Sequence, residues 1–198
     1  IFMNRDTSSA FLREIQASVV APIEPVFVDF EKDMSILTAK SNIPVLYKQN
    51  TTNDIFTLIY QFDMGNNEDK CLGTATQYLD YLGTSTMTPE QIKTAFYGLA
   101  CSYGVYTSAE KTQVVVSGLG ENMKEAVTLL ESLLADAQAN PVALQGLKAD
   151  ILKRRQNNKL NQNANFNQLR AYNTYGPNSP STNNLSNNEI KGLKDEAL

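Results

Sequence analysis

The chain has 198 residues, of which 17 are basic and 21 acidic, giving a formal net charge of -4 and a pI near 4.9, and 42% of it is hydrophobic. That length and apolar content suit one buried core, or a core with an appendage, while the acidic balance and the absence of aromatics among the basic residues argue against a nucleic-acid partner. There is no histidine, so neither the commonest nitrogen ligand for zinc nor the usual general base near neutral pH is on hand.

Nothing in the sequence reaches the roughly eighteen consecutive apolar residues of a membrane helix, and the first residues lack the basic-then-apolar order of a secretion signal. The cysteines, Cys71 and Cys101, are too few for a disulfide framework and are expected to be buried thiols.

In chain order, "TSSAFLREIQASV" places Phe11, Ile15 and Val19 four residues apart, the spacing of a short amphipathic helix capped by Ser or Thr. Pro22 and Pro25 then interrupt helix, and "APIEPVFVDFEKDM" reads as a linker. "MSILTAK", "IPVLYKQN" and "DIFTLIYQFDMG" are β-branched and aromatic runs that predict strands, with "NTTND" as the turn between the second and third.

The period then changes to that of a helix. From about Glu68 to Leu82, an apolar stripe of Leu72, Ala75, Leu79 and Leu82 is expected to be buried, with Asn66 or Asn67 as cap and Gly83 in the left-handed position at the end. "TPEQIKTAFYGLA" carries the capping-box spacing of Thr88 and Gln91 with Pro89 at the first helical position, and turns Ile92, Ala95, Phe96 and Leu99 inward. "CSYGVYTSAEKTQVVVSGL" reads as an antiparallel strand pair around "TSAEK". Two further helices follow, the first with Met123, Ala126, Val127, Leu130, Leu133 and Leu134 on one side. The second starts at Asn140 and Pro141, with Leu144, Leu147 and Ile151 facing in.

From Gln156 to Asn188 the chain is crowded with asparagine and reads as a solvated helical hairpin and loop. "KDEAL" stops as if inside a helix. The element order predicts an α+β fold, a mainly antiparallel sheet with helices on one face.

Taken together, "IPVLYKQN", "DIFTLIYQFDMG", "YLDYLGT", "MTPEQIKTAFYGLACSYGV" and "VVVSGLGENMKEAVTLLESLLADAQ" resemble the pitrilysin/insulinase family of zinc metallopeptidases. The resemblance runs from Asp33 to Leu198, and its most specific piece is the "SGLGENM" turn between strand and helix. In the active half of such enzymes the helix before the Gly-Thr turn carries His-x-x-Glu-His, whose histidines bind zinc and whose glutamate activates the water. Counting back from Gly83 and Thr84 puts those positions at Thr74, Gln77 and Tyr78. A hydroxyl, an amide and a phenol replace both ligands and the base. The family's third ligand, a glutamate, belongs in "LKADILKRR", where Asp150 is the only acid.

The resemblance therefore implies the first domain of an inactive, C-terminal half, with no catalytic or metal-binding residue of its own, spanning 33–198 and shortened at its C-terminal end, after an inter-half linker with a short helix at 1–32. Its implied role is to help enclose a peptide-holding chamber opposite an active N-terminal half of the same chain, which would hold the zinc. The Arg and Tyr that the family's inactive half lends to catalysis lie in its following domain and are not assigned to Arg170 and Tyr172. The bacterial members are typically periplasmic. Two alternatives stay open on sequence: a structural scaffold subunit related to these peptidases but without protease activity, and a free-standing binding module.

Overall fold

The computed structural model describes residues 8–179 and 183–198, in two compact units, Ile1–Gln49 and Asn50–Leu198. In the first, helix α1 (Ala10–Ala17) is capped by Ser9, whose hydroxyl accepts the Leu12 N–H at 3.1 Å. Its apolar stripe meets no core within the unit: Phe11 is 71% and Ile15 51% exposed. A one-turn helix, α2 (Phe30–Asp33), forms where the Asp29 carboxylate receives the Glu31 and Lys32 N–H groups.

Strand β1 (Ser35–Thr38) pairs antiparallel with β2 (Pro44–Tyr47). This hairpin corrects the turn expected at "NTTND". Strand β3 (Ile55–Phe62) takes β5 (Thr112–Leu119) as its partner. The Asn50 side chain organises that stretch as a loop, accepting the Thr52 N–H at 3.0 Å and donating to the Ile55 carbonyl at 2.8 Å.

The second unit is built on a three-stranded antiparallel sheet in the order β3-β5-β4, with β4 spanning Cys101–Thr107. Alternation along the strands turns Phe56, Leu58 and Tyr60 of β3 to one face, in register with Gly118, Val116 and Val114 of β5 and with Cys101, Tyr103 and Val105 of β4. Gly118 has no freedom to be anything larger, since a Cβ there would lie 2.6 Å from the Cys101 Cα. The opposite face leaves Ile55 and Ile59 about half exposed.

Helix α4 (Pro89–Gly98) packs on β4 and on α5 (Met123–Ala135), which lies across β5. The capping box predicted for α4 is present in both directions, Thr88 N–H to Gln91 Oε1 at 2.8 Å and Gln91 N–H to Thr88 Oγ1 at 3.3 Å. Ile92 and Phe96 from α4, Val114 and Val116 from β5, and Ala126, Leu130 and Leu133 from α5 make the sheet-side core. Phe96 stacks obliquely on Tyr103, with ring centroids 4.7 Å apart. Met123 and Leu134, expected on the inner side of α5, are 38% and 47% exposed and lie at the margin of the buried stripe.

A second cluster forms on α6 (Pro141–Asn158), where Leu144, Leu147 and Ile151 are buried as expected, together with Tyr78 and, from the C-terminal region, Leu185, Ile190 and Leu193. Helix α8 (Asn187–Gly192) supplies Ile190 and packs on α6. Between the two lies α7 (Gln162–Tyr175), which buries none of its residues, in keeping with the solvated hairpin predicted there. "KDEAL" is not inside an α-helix; Asp195–Ala197 form a single 3₁₀ turn.

Helix α3 (Leu72–Leu79) is where sequence and structure differ most. It starts later than predicted because the preceding backbone is used elsewhere: Asn66 and Asn67 donate to the Ser108 and Ala109 carbonyls at 2.9 and 2.8 Å. The buried residues of α3 are Thr74 and Tyr78, while Leu72, Ala75, Leu79 and Leu82 are only half-buried. The helix sits between two cores. Leu79 touches the sheet-side cluster and Tyr78 the α6 cluster, so no single leucine stripe decides its orientation. Gly83 is not left-handed either. A Cβ there would strike the Met87 carbonyl oxygen, because the chain folds back to give the Thr84 N–H to Met87 at 2.9 Å.

Candidate functional site

The three positions at which the resemblance puts metal ligands and base are brought together on α3, and each has acquired other company. Thr74 is 6% exposed and lines a cleft of about 350 Å³ between α3, β4 and α6. Gln77 is exposed at the rim, where its Nε2 donates to the Gly73 carbonyl at 2.6 Å and its Oε1 accepts from Arg154 Nη2 at 2.7 Å. The amide is thus held in place at both ends.

Tyr78, one turn beyond Thr74 on the same face, is 3% exposed. Its hydroxyl accepts the N–H of Asn140, the cap of α6, at 2.7 Å and donates to the Asp195 carboxylate in the C-terminal 3₁₀ turn. Burial, then the hydrogen-bonded Asp195, push the phenol up to about 12 from its ordinary value of 10.0. It is a neutral donor at any physiological pH.

Zinc does not fit these residues. A threonine hydroxyl, an amide tied to a guanidinium and a phenol already engaged on both sides offer no thiolate, imidazole or free carboxylate. Asp150, the nearest counterpart of a third ligand, is exposed and lines a separate groove with Asp80, Lys153 and Arg154. Among the described residues no cluster of three or more His, Cys, Asp and Glu could hold a metal. Cys101 is buried as expected, but Cys71, the residue before α3, is only half-buried; its thiol is pushed up by burial and by the neighbouring Asp69.

The cleft also contains residues that motif reasoning did not single out. Arg154 and Arg155 reach it from α6 and Lys70 from the turn before α3, with Asn66 between them. The signal for two of them was visible as the basic run in "LKADILKRR", but only the fold shows that it meets α3. Around Gly83 the turn after α3 is pinned by Asp136, whose carboxyl is held low by the Ser85 hydroxyl and then its N–H, the latter at 2.8 Å. The Gln138 N–H closes a bridge onto the Gly83 carbonyl at 2.9 Å.

No family model and no curated relative matches the sequence. The fold does have close counterparts. The crystal structure of a peptidase M16 inactive domain from Pseudomonas fluorescens superposes with a TM-score of 0.70 at 16% identity, over 83% of this chain and 42% of that one. The periplasmic protease PqqL from Escherichia coli gives 0.66 at 14% identity, over 97% of this chain and 21% of its own. The ferredoxin protease FusC, solved in complex with Arabidopsis ferredoxin, gives 0.68 at 11%, over 93% and 23%. The chain therefore spans between about a fifth and two fifths of these neighbours. At such identities the likeness speaks for fold alone, and it agrees with the resemblance carried by the sequence motifs: this chain is folded as a pitrilysin-like, M16 peptidase domain, the fold that an inactive M16 domain also has.

Proposed function

We propose that this chain is a non-catalytic domain of a zinc metallopeptidase and helps enclose the chamber in which peptides are held opposite an active half. The observation that carries the reading is α3 itself. The helix that bears metal and base in active members is kept in place, while the positions that would do the chemistry contribute a cleft wall at Thr74, a rim contact at Gln77 and a structural tie at Tyr78. A domain with that combination can contribute shape without chemistry. Confinement that holds a scissile bond against a metal-bound water lowers a barrier by several kcal/mol without any reacting group from the confining wall.

In this reading the partners are an active half within the same protein, which holds the zinc, and the peptide substrate; residues 1–32 serve as the segment joining the halves. A periplasmic site of action is supported by the periplasmic neighbour PqqL. The test compares peptide turnover by the full-length protein, by its N-terminal half alone, and by that half with the C-terminal half added in trans. The expected result is loss of turnover in the isolated N-terminal half with its zinc retained, and recovery on addition of the other half. An isolated N-terminal half that cleaves peptides as fast as the intact protein would overturn the chamber role.

A further inference from the structure

We propose that the cleft beside α3 recognises the carboxylate group of a peptide. Its cationic side chains are Lys70, Arg154 and Arg155, and no acidic residue lines it. That is a local reversal of charge in a chain whose net charge is -4. Among the described residues none of the three cations forms a salt bridge. Their nearest bonds are to neutral amides, Arg154 to Gln77 at 2.7 Å and Arg155 to the Asn187 Oδ1 at 2.8 Å. Glu189 is the acid that senses Lys70, and its carboxylate is already committed to the Ser186 N–H at 2.6 Å in the cap of α8. Asp150 and Asp80 face the neighbouring groove, which Arg154 also borders. The cations are therefore left with donors to spare, and a planar guanidinium matches a carboxylate in a paired, two-bond geometry.

Two further features argue for an organic carboxylate over a bare inorganic anion. Val105, Ile151, Leu185 and Ile190 line the same cleft, so the carbon atoms next to the carboxylate have an apolar wall to cover. Thr74 lines the cleft as well, and a threonine hydroxyl there is a donor for a carboxylate oxygen. A volume of about 350 Å³ holds the terminal residue or an acidic side chain of a peptide, not a folded domain.

The inference rests on this cleft and not on the chamber reading, and it is tested on this chain alone, so that either can fail without the other. An N-acetylated peptide ending in leucine with a free carboxylate is titrated into the isotope-labelled chain, reading the arginine side-chain N–H resonances. The same peptide is tested with an amidated end, and amidated with one internal glutamate. Saturable shifts at Arg154 and Arg155 with the free acid are expected, weakened about tenfold by amidation, the worth of one lost charge-assisted hydrogen bond. Rescue by the glutamate peptide assigns the carboxylate to a side chain; no rescue assigns it to the chain end. Arg154→Gln with Arg155→Gln should weaken binding at least as much as amidation does, with folding of the variant checked by circular dichroism. Equal binding of the neutral, amidated peptide, no saturable binding of any peptide, or displacement by inorganic phosphate at matching concentration would overturn the proposal. The resonance shifts in the unaltered chain decide the matter even if the double variant does not fold.

Discussion

The two buried clusters of the second unit are made in different ways. The sheet-side cluster is apolar throughout and joins neighbours in sequence: two strands and the helices that flank them, 92–133 with β3 closing the edge. The α6 cluster collects residues from 78 to 193 and is fastened by polar groups, with Tyr78 binding Asn140 and Asp195, and the buried Lys148 amine donating to the Leu193 carbonyl at 2.9 Å. The first is specified by volume, the second by geometry. Apolar burial tolerates sliding, whereas a hydrogen bond across 117 residues of sequence is made in one register or not at all.

This contrast can be broken most forcefully in the sheet-side cluster. Leu130, 0% exposed, sits at its centre, and Leu130→Ala should cost about 2 to 5 kcal/mol, read as a single shifted transition in urea. A biphasic transition would show that the clusters do not melt as one. Tyr78→Phe comes next, at about 1 to 3 kcal/mol, because it keeps the ring but leaves the Asn140 N–H unpaired and Asp195 without its donor. Amide exchange at Asn140 and around Asp195 should rise in this variant while β5 stays protected.

The same phenol predicts a pH dependence. Since its folded value is raised to about 12 from 10.0, the folded chain binds this proton more tightly than the unfolded chain does. The stabilisation is complete below 10.0 and is lost as pH climbs toward 12. Denaturation midpoints across that window should fall in the parent and fall less steeply in Tyr78→Phe. Some slope should remain, because Tyr60, Tyr103 and Cys71 are also raised by burial. The smallest effect is expected where motif logic promises the largest. Thr74→His, Gln77→Glu and Tyr78→His together should yield a chain that retains no zinc after dialysis and cleaves no peptide, since the third ligand and the groups that would orient the imidazoles are lacking. Stoichiometric zinc by metal analysis would contradict this.

The same contrast decides what could be read in advance. Strand alternation, the Thr88–Gln91 capping box, the inner face of α6 and the Ala126, Leu130 and Leu133 part of the α5 face follow from short-range patterns, and the structure has them. The buried face of α3 did not follow, because counting apolar residues favours Leu72 and Leu79 over a threonine and a tyrosine, whose burial depends on what α6 and the C-terminal turn bring to them. The pairing of β1 with β2 was missed for a related reason: Ser41 and Asn42 adopt φ of 62° and 60° without a glycine to announce the turn. Of the site, the altered ligand positions were legible by count from Gly83, while the cations opposite them were not, since Lys70 and Arg154 lie on different elements and meet only in three dimensions.

The Tyr78 tie also bears on evolvability. Histidine at that position would have a shorter reach and a different donor direction, so building a metal site there begins by unfastening the cap of α6 from the C-terminal turn. That step loses stability and gains nothing until the rest of His-x-x-Glu-His is in place, and a marginally stable domain has little to lose. The hydrogen bonds at Tyr78 thus act as a ratchet, opposing conversion of α3 into a metal-binding helix by the same contacts that hold the domain together.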